Sequence, residues 1–212
     1  MNIPKPKKQV IRNDDKTLQK DDPVGWGYKS CWISVRANDK DAVAQFLNLK
    51  EVKPCTWREG YKLTYSVAGH NSLFITPVID GWICAIGSHP EAGPGAFCDY
   101  MKRLSDRFGE AYYFGTHRIV GYQAWAIAKM GQMIRGFAYV GESGEFPLNV
   151  GERTADEIEL NIGTENLDLC PDEEHILELA SRWVFDPRRI ENCAGADGPG
   201  LAGRISRPNS AV

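Results

Sequence analysis

The sequence predicts an α+β protein built on a largely antiparallel sheet, with helices packed on one face. Strand-like segments arrive in runs and do not alternate with helices, in the order strand, helix, four strands, helix, three strands, helices. Gly, Asn and Asp stand at the corners between them, which is the turn chemistry of hairpins and meanders. The 212 residues are 42% hydrophobic and 25% charged, values of a globular chain long enough for one core-bearing domain.

Each element has its own signal. Lys29–Arg36 alternates as a strand, and Asn38-Asp39 caps a short helix with apolar positions at Val43, Phe46 and Leu47. The segments Val52–Arg58, Tyr61–Val67, Ser72–Val78 and Trp82–Gly87 are β-branched or aromatic. Between them lie Arg58-Glu59-Gly60, Gly69-His70-Asn71 and Asp80-Gly81, so a four-stranded meander is expected. In GPGAFCDYMKRLSDRFG, Phe97, Met101, Leu104 and Phe108 recur at helical spacing, and Gly109 supplies the stop. Ala111–Phe114, Ile119–Ala128 and Gln132–Val140 then read as strands, the last two joined over Lys129-Met130-Gly131. Thr154-Ala155-Asp156-Glu157 fits a capping box. Pro171 and three acids open a longer helix, apolar at Ile176, Leu177, Ala180, Trp183 and Val184.

These elements span a single domain, residues 26–190. A flexible basic arm, 1–25, precedes it, and a loose Gly-rich tail, 191–212, follows. No apolar run reaches the roughly 18–20 residues of a membrane span, and MNIPKPKKQVIRNDD lacks an apolar signal core. A cytoplasmic location is therefore expected. It agrees with six dispersed cysteines (Cys31, Cys55, Cys84, Cys98, Cys170, Cys193) and no CxxC, which read as reduced thiols packed as small hydrophobes.

The net charge of −3 argues against nucleic acid as a partner, and nothing calls for a membrane. Charge is unevenly spread. Lys5, Lys7, Lys8, Arg12, Lys16 and Lys20 face only Asp14 and Asp15 in the arm. Residues 152–174 carry nine acids (Glu152, Asp156, Glu157, Glu159, Glu165, Asp168, Asp172, Glu173, Glu174) against Arg153 alone. Such a run is either a solvated face or a surface for a cationic partner.

Gly115-Thr116-His117-Arg118, set among aromatic residues, is the first place to look for catalysis. As a strand it sends His117 and Arg118 to opposite faces unless Gly115 forms a bulge. The structural reading gives His117 a hydrogen bond within an aromatic layer. The catalytic reading makes it a general base with Arg118 as anion clamp. Cys98, paired with His117 or His89, is a second candidate, with the helix dipole helping and Asp99 opposing its ionisation. The four histidines, His70, His89, His117 and His175, lie in separate segments without metal-ligand spacing. No phosphate-binding Gly loop is present, and Gly141-Glu142-Ser143-Gly144 misses a serine-nucleophile spacing by one residue. No cofactor is expected. Six tryptophans on alternating strands suggest exposed anchors beside the acid run.

Several stretches resemble a group of bacterial proteins of unassigned activity. They are Phe74–Trp82 (FITPVIDGW), Leu104–Arg118 (LSDRFGEAYYFGTHR), Trp125-Ala126 and Gly141–Glu145 (GESGE), within a likeness covering about residues 70–187. Members are similar to the immunity partners of polymorphic or type VI secretion toxins. The resemblance implies a non-catalytic, cytosolic protein that binds and neutralises a cognate toxin domain, and it supplies no catalytic residue. The residues expected at the partner surface are Trp125, Asp156, Glu157, Glu159, Asp172 and Glu173. The acids would imitate the polyanion that a nuclease cleft expects. The alternatives are a small enzyme using His117 with Arg118 or Cys98, and a structural adaptor without a toxin partner.

Overall fold

The computed structural model describes residues 21–65, 71–87 and 93–205. The arm residues 1–20, the last residues 206–212, and His70 and His89 lie outside the described residues. Within them a nine-stranded antiparallel sheet runs in the order β2-β9-β3-β4-β1-β5-β6-β7-β8. Its strands are β1 (Cys31–Arg36), β2 (Leu49–Cys55), β3 (Ser72–Ile75), β4 (Trp82–Ile86), β5 (Glu110–His117), β6 (Tyr122–Lys129), β7 (Gln132–Val140), β8 (Glu145–Val150) and β9 (Gly200–Ile205). Five helices accompany it: α1 (Lys40–Phe46), α2 (Trp57–Thr64), α3 (Pro94–Phe108), α4 (Ala155–Glu159) and α5 (Glu173–Trp183).

The α+β class and the antiparallel sheet agree with expectation, but the helices cover both faces. Trp32, Trp82, Tyr112, Phe114, Trp125 and Phe137 lie on one face with α2 and α5. Ile33, Ile83, Ala111, Ala124, Ala126 and Ala128 lie on the other, under α1 and α3. Both alternating sets of the central strands are apolar, so each face needs cover. β6 shows the division of labour. Its alanines leave room for α3, and Trp125 and Ile127 fill the opposite side. A large apolar side chain taken fully out of water stabilises by about 1.5–3 kcal/mol.

The same layering corrects the tryptophan expectation. Trp26, Trp32, Trp57, Trp82 and Trp125 are buried, and Trp183 packs against the same cluster. Trp26 stacks on Trp57 at 6.0 Å between ring centroids, Trp32 on Phe114 at 5.1 Å and Trp125 on Phe137 at 4.7 Å. None of these five is a surface anchor.

α3 begins with Pro94 and ends at Gly109, whose φ of 83° stops it as expected. Of the expected strand Tyr61–Val67, Tyr61–Thr64 belong instead to α2 and Tyr65 caps it, and residues 66 and 67 lie outside the described residues. Thr56 accepts from the Glu59 amide, and Glu59 answers the Thr56 amide, which closes a capping box. Gly60 is no turn glycine. A Cβ there would stand 2.1 Å from the Phe74 ring, so glycine lets α2 lie on β3.

Both domain boundaries shift. Asp21 accepts from the Trp57 amide at 2.8 Å, and the Trp26 amide donates to Pro187 O at 3.0 Å, so ordered chain precedes residue 26. Residues 200–205, expected in the tail, form β9 between β2 and β3. The approach to β9 is pinned as well, since Trp57 Nε1 donates to Ala196 O at 3.0 Å.

Candidate functional site

Where α5 starts, it faces the turn between β5 and β6, and the two enclose a cleft of about 310 Å³. Tyr28, Arg118, Gly121, Gln123, Asp172, Glu173 and Glu174 line it. Asp172 caps α5, its carboxylate accepting from the His175 amide at 3.0 Å, and this sets Glu173 at the first helical position over the sheet. Thr116, buried near the end of β5, donates to Glu173 Oε1 at 3.0 Å. Arg118 donates to Glu173 Oε2 through Nε at 2.8 Å and Nη2 at 2.5 Å. The Lys29 amide completes the set at 3.4 Å. Glu174 accepts from the Tyr28 hydroxyl at 2.6 Å and from Arg188 at 3.0 Å.

Burial pushes the Glu173 carboxyl up, but hydrogen bonds from Arg118, Thr116 and the Lys29 amide outweigh it and hold the group below its ordinary value of 4.5. A carboxylate depressed in the folded state adds stability that is complete above the unfolded value and disappears as pH falls through the folded one. Glu173→Gln is therefore expected to be less stable than wild type at pH 7. The gap in urea midpoint should shrink steadily below pH 4.5. A gap independent of pH would mean the charge on Glu173 contributes nothing.

Gln123 gives the cleft an unusual wall. It is 5% exposed, and its side-chain oxygen has no hydrogen-bond partner. An acceptor out of water and unpaired is uncommon in a folded protein.

The Gly115–Arg118 knot is the end of a regular strand. Pairing of β5 with β6 runs unbroken from Glu110 to His117, so Gly115 is not a bulge. A Cβ at Gly115 would meet the Tyr113 hydroxyl at 2.7 Å and the Tyr122 ring at 2.9 Å, and glycine lets these rings approach. Arg118 shares Glu173 with Thr116, so it lies on the α5 side. His117 is exposed. The separation of His117 from Arg118 follows strand alternation, but His117 is not the buried, hydrogen-bonded residue expected, because the strand has run past the aromatic layer.

The six residues expected at a partner surface divide three ways. Trp125 and Glu157 are interior. Trp125 Nε1 donates to Glu157 Oε1 at 2.9 Å, and Arg135 Nε donates to the same oxygen at 2.8 Å, with the Arg135 and Glu157 side chains 1% and 0% exposed. Neither can meet a partner, because the carboxylate is spent on a buried guanidinium. Asp156 and Glu159 gather on Arg182 near the far end of α5, each at 3.1 Å, and Asp156 also accepts from Trp183 Nε1 at 2.8 Å. Asp172 and Glu173 line the cleft. Nine residues of helix, about 14 Å, separate the Glu173 and Arg182 positions, so the acid run is not one field.

Sequence reasoning missed Tyr28, Gln123 and Glu174 as site residues. The available signal was Gln123 itself, the one amide in YQAWAIA, two residues from Trp125 and so on the same face. Cys98 is half-buried. Burial pushes its thiol up, Asp99 adds to this and Lys102 opposes it, so the structure gives Cys98 no thiolate-stabilising setting. Among the described residues, no group of three or more His, Cys, Asp or Glu is placed to hold a metal ion, and no helix is long and apolar enough to cross a membrane.

No known protein family, curated protein or solved structure matches the chain.

Proposed function

We propose that this chain is a non-catalytic binding protein of the immunity type, which neutralises a cationic secreted toxin domain in the bacterial cytosol. The cleft at the start of α5 carries the reading. Three acids stand there against Arg118, which is already committed to Glu173, and a buried amide oxygen lacks a donor. Such a surface attracts positive charge, and electrostatic steering speeds the encounter of oppositely charged proteins. Ile119, 80% exposed in the turn between Arg118 and Gly121, offers apolar contact beside the charges.

Co-expression with a secreted toxin domain encoded beside this gene tests this, and a gene neighbourhood without such a toxin would count against the reading. The expected result is rescue of growth and a complex that survives gel filtration at low salt and weakens as salt rises. Persistent growth arrest, with both proteins soluble and separate, would overturn the reading.

A further inference from the structure

We infer that the cleft receives the side chain of an arginine presented by the protein partner, an assignment whose biological role rests on the binding reading above. The cleft has two walls and both present acceptors. On the sheet side lies Gln123, a lining residue whose buried side-chain oxygen has no partner. On the helix side lie Asp172 and Glu174, with side chains 66% and 61% exposed.

These carboxylates have partners, yet an ionised carboxylate offers about four lone-pair sites, more than the present contacts use. Asp172 serves the His175 amide and stands 2.7 Å from His175 Nδ1, and Glu174 serves Tyr28 and Arg188. Arg118 neutralises only Glu173, which it meets through two nitrogens, and Arg188 is shared between Glu174 and Asp186, so the cleft keeps a net negative charge. An anion is disfavoured, since the open end of α5 is already capped by the Asp172 carboxylate and followed by two glutamates.

Among cations, the geometry separates ammonium from guanidinium. A lysine head is a compact charge with three donors, whereas the arginine head spreads five donors over a planar fork. Acceptors on two walls of a 310 Å³ cleft suit the fork. Tyr28 adds a half-exposed ring to the lining, and a guanidinium stacks on an aromatic face better than an ammonium does. With its side chain turned toward the cleft, the Gln123 oxygen then gains the donor it lacks.

Titration of the full chain with N-acetyl-arginine methylamide, read by the side-chain amide signal of Gln123 in two-dimensional NMR, tests the assignment. N-acetyl-citrulline methylamide, a neutral near-isostere, and N-acetyl-lysine methylamide serve as comparators. A saturable shift is expected with arginine, at about tenfold lower concentration than with either comparator, and weakening with salt. Glu174→Gln should weaken arginine binding about fivefold, whereas Glu159→Gln, which removes the same charge at the other end of α5, should leave it unchanged. Glu174 lies on the rim, its side chain 61% exposed, so Glu174→Gln is expected to keep the fold, which a melting curve checks. Citrulline or lysine matching arginine, no saturable shift, or equal losses for the two glutamine variants would overturn the assignment. A toxin domain bound undiminished by Glu174→Gln would remove this inference and leave the binding reading standing. Arginine binding by a chain that protects no cell would do the reverse.

Discussion

Glu157→Gln is expected to lower the stability of the fold by about 3–5 kcal/mol, the usual cost of leaving one member of a buried ion pair alone. For a domain of this size that is a fall of roughly 6–20 °C in melting temperature, measurable by circular dichroism. Glu157 joins three things at once. Its Oε1 accepts from Arg135 and from Trp125, and its Oε2 accepts from the Thr154 amide at 2.8 Å, closing the capping box of α4. An amide cannot accept at both ends, so the variant breaks the cap or loses the Trp125 and Arg135 contacts. It also leaves the guanidinium charged in the interior. Gly163 permits this approach, since a Cβ there would lie 2.4 Å from Glu157 Oε1.

The pair is more than an ion pair, and a second variant separates the two roles. Arg135 Nη1 and Nη2 also donate to the backbone oxygens of Gly136, Val150, Gly151 and Gly163 and to Asn149 Oδ1, between 2.7 and 3.2 Å. It therefore clasps the end of β8 and the loop after α4 onto β7. Where a buried pair is only a pair, replacing both members with apolar residues restores stability. Here Arg135→Met with Glu157→Leu should stay at or below the stability of Glu157→Gln, because those carbonyls would remain buried without donors. Recovery of the wild-type melting temperature in the double variant would sink the clasp and leave an ordinary ion pair.

That clasp shows where the sequence is legible and where it is not. α3 and α5 are readable because each carries its own start signal and an apolar stripe, and β5, β6 and β7 because short turns join strongly apolar strands. The acid run 152–174 was readable only as a charge count. Whether an acid is a surface field or an interior partner depends on arginines far along the chain: Arg118 for Glu173, Arg135 for Glu157, Arg182 for Asp156 and Glu159, and Arg188 for Glu174. Sequence spacing holds no trace of those pairings. The cleft is half legible for the same reason. Asp172 and Glu173 announce a helix start, but their meeting with Gln123 and Tyr28 is a product of sheet order. α2 is not legible because Tyr61, Leu63 and Tyr65 alternate like a strand, while of the residues that start the helix Thr56 falls in the expected strand Val52–Arg58 and Glu59 in the expected turn Arg58-Glu59-Gly60.

Removal of residues 200–212 is expected to abolish cooperative folding, although composition alone marks this stretch as a loose tail. β9 pairs with β2 from Gly200 opposite Cys55 to Ile205 opposite Leu49, and with β3 from Leu201 opposite Ile75 to Arg204 opposite Ser72. Without it β2 loses its strand partner, β3 becomes an unprotected edge, and the cover over Leu73 and Ile75 is opened. Leu201 and Ala202 are buried on opposite faces, so both layers of the core are breached. The glycines that suggest looseness are packing devices. A Cβ at Gly200 would stand 2.3 Å from Ile75 O and from the Phe74 ring, and one at Gly203 would stand 2.9 Å from Leu49 Cβ. Against a total stability of about 5–15 kcal/mol for a typical domain, losing an internal strand leaves no margin. The truncated chain should show no sigmoidal melting transition. A chain ending at Ile205 keeps every pairing of β9 and should melt like wild type. Adding a synthetic peptide of residues 198–206 to the truncated chain should restore part of the transition by strand addition at the opened β3 edge. A truncated chain that melts cooperatively at the wild-type temperature would show that the sheet closes without β9, and that the tail reading was right after all.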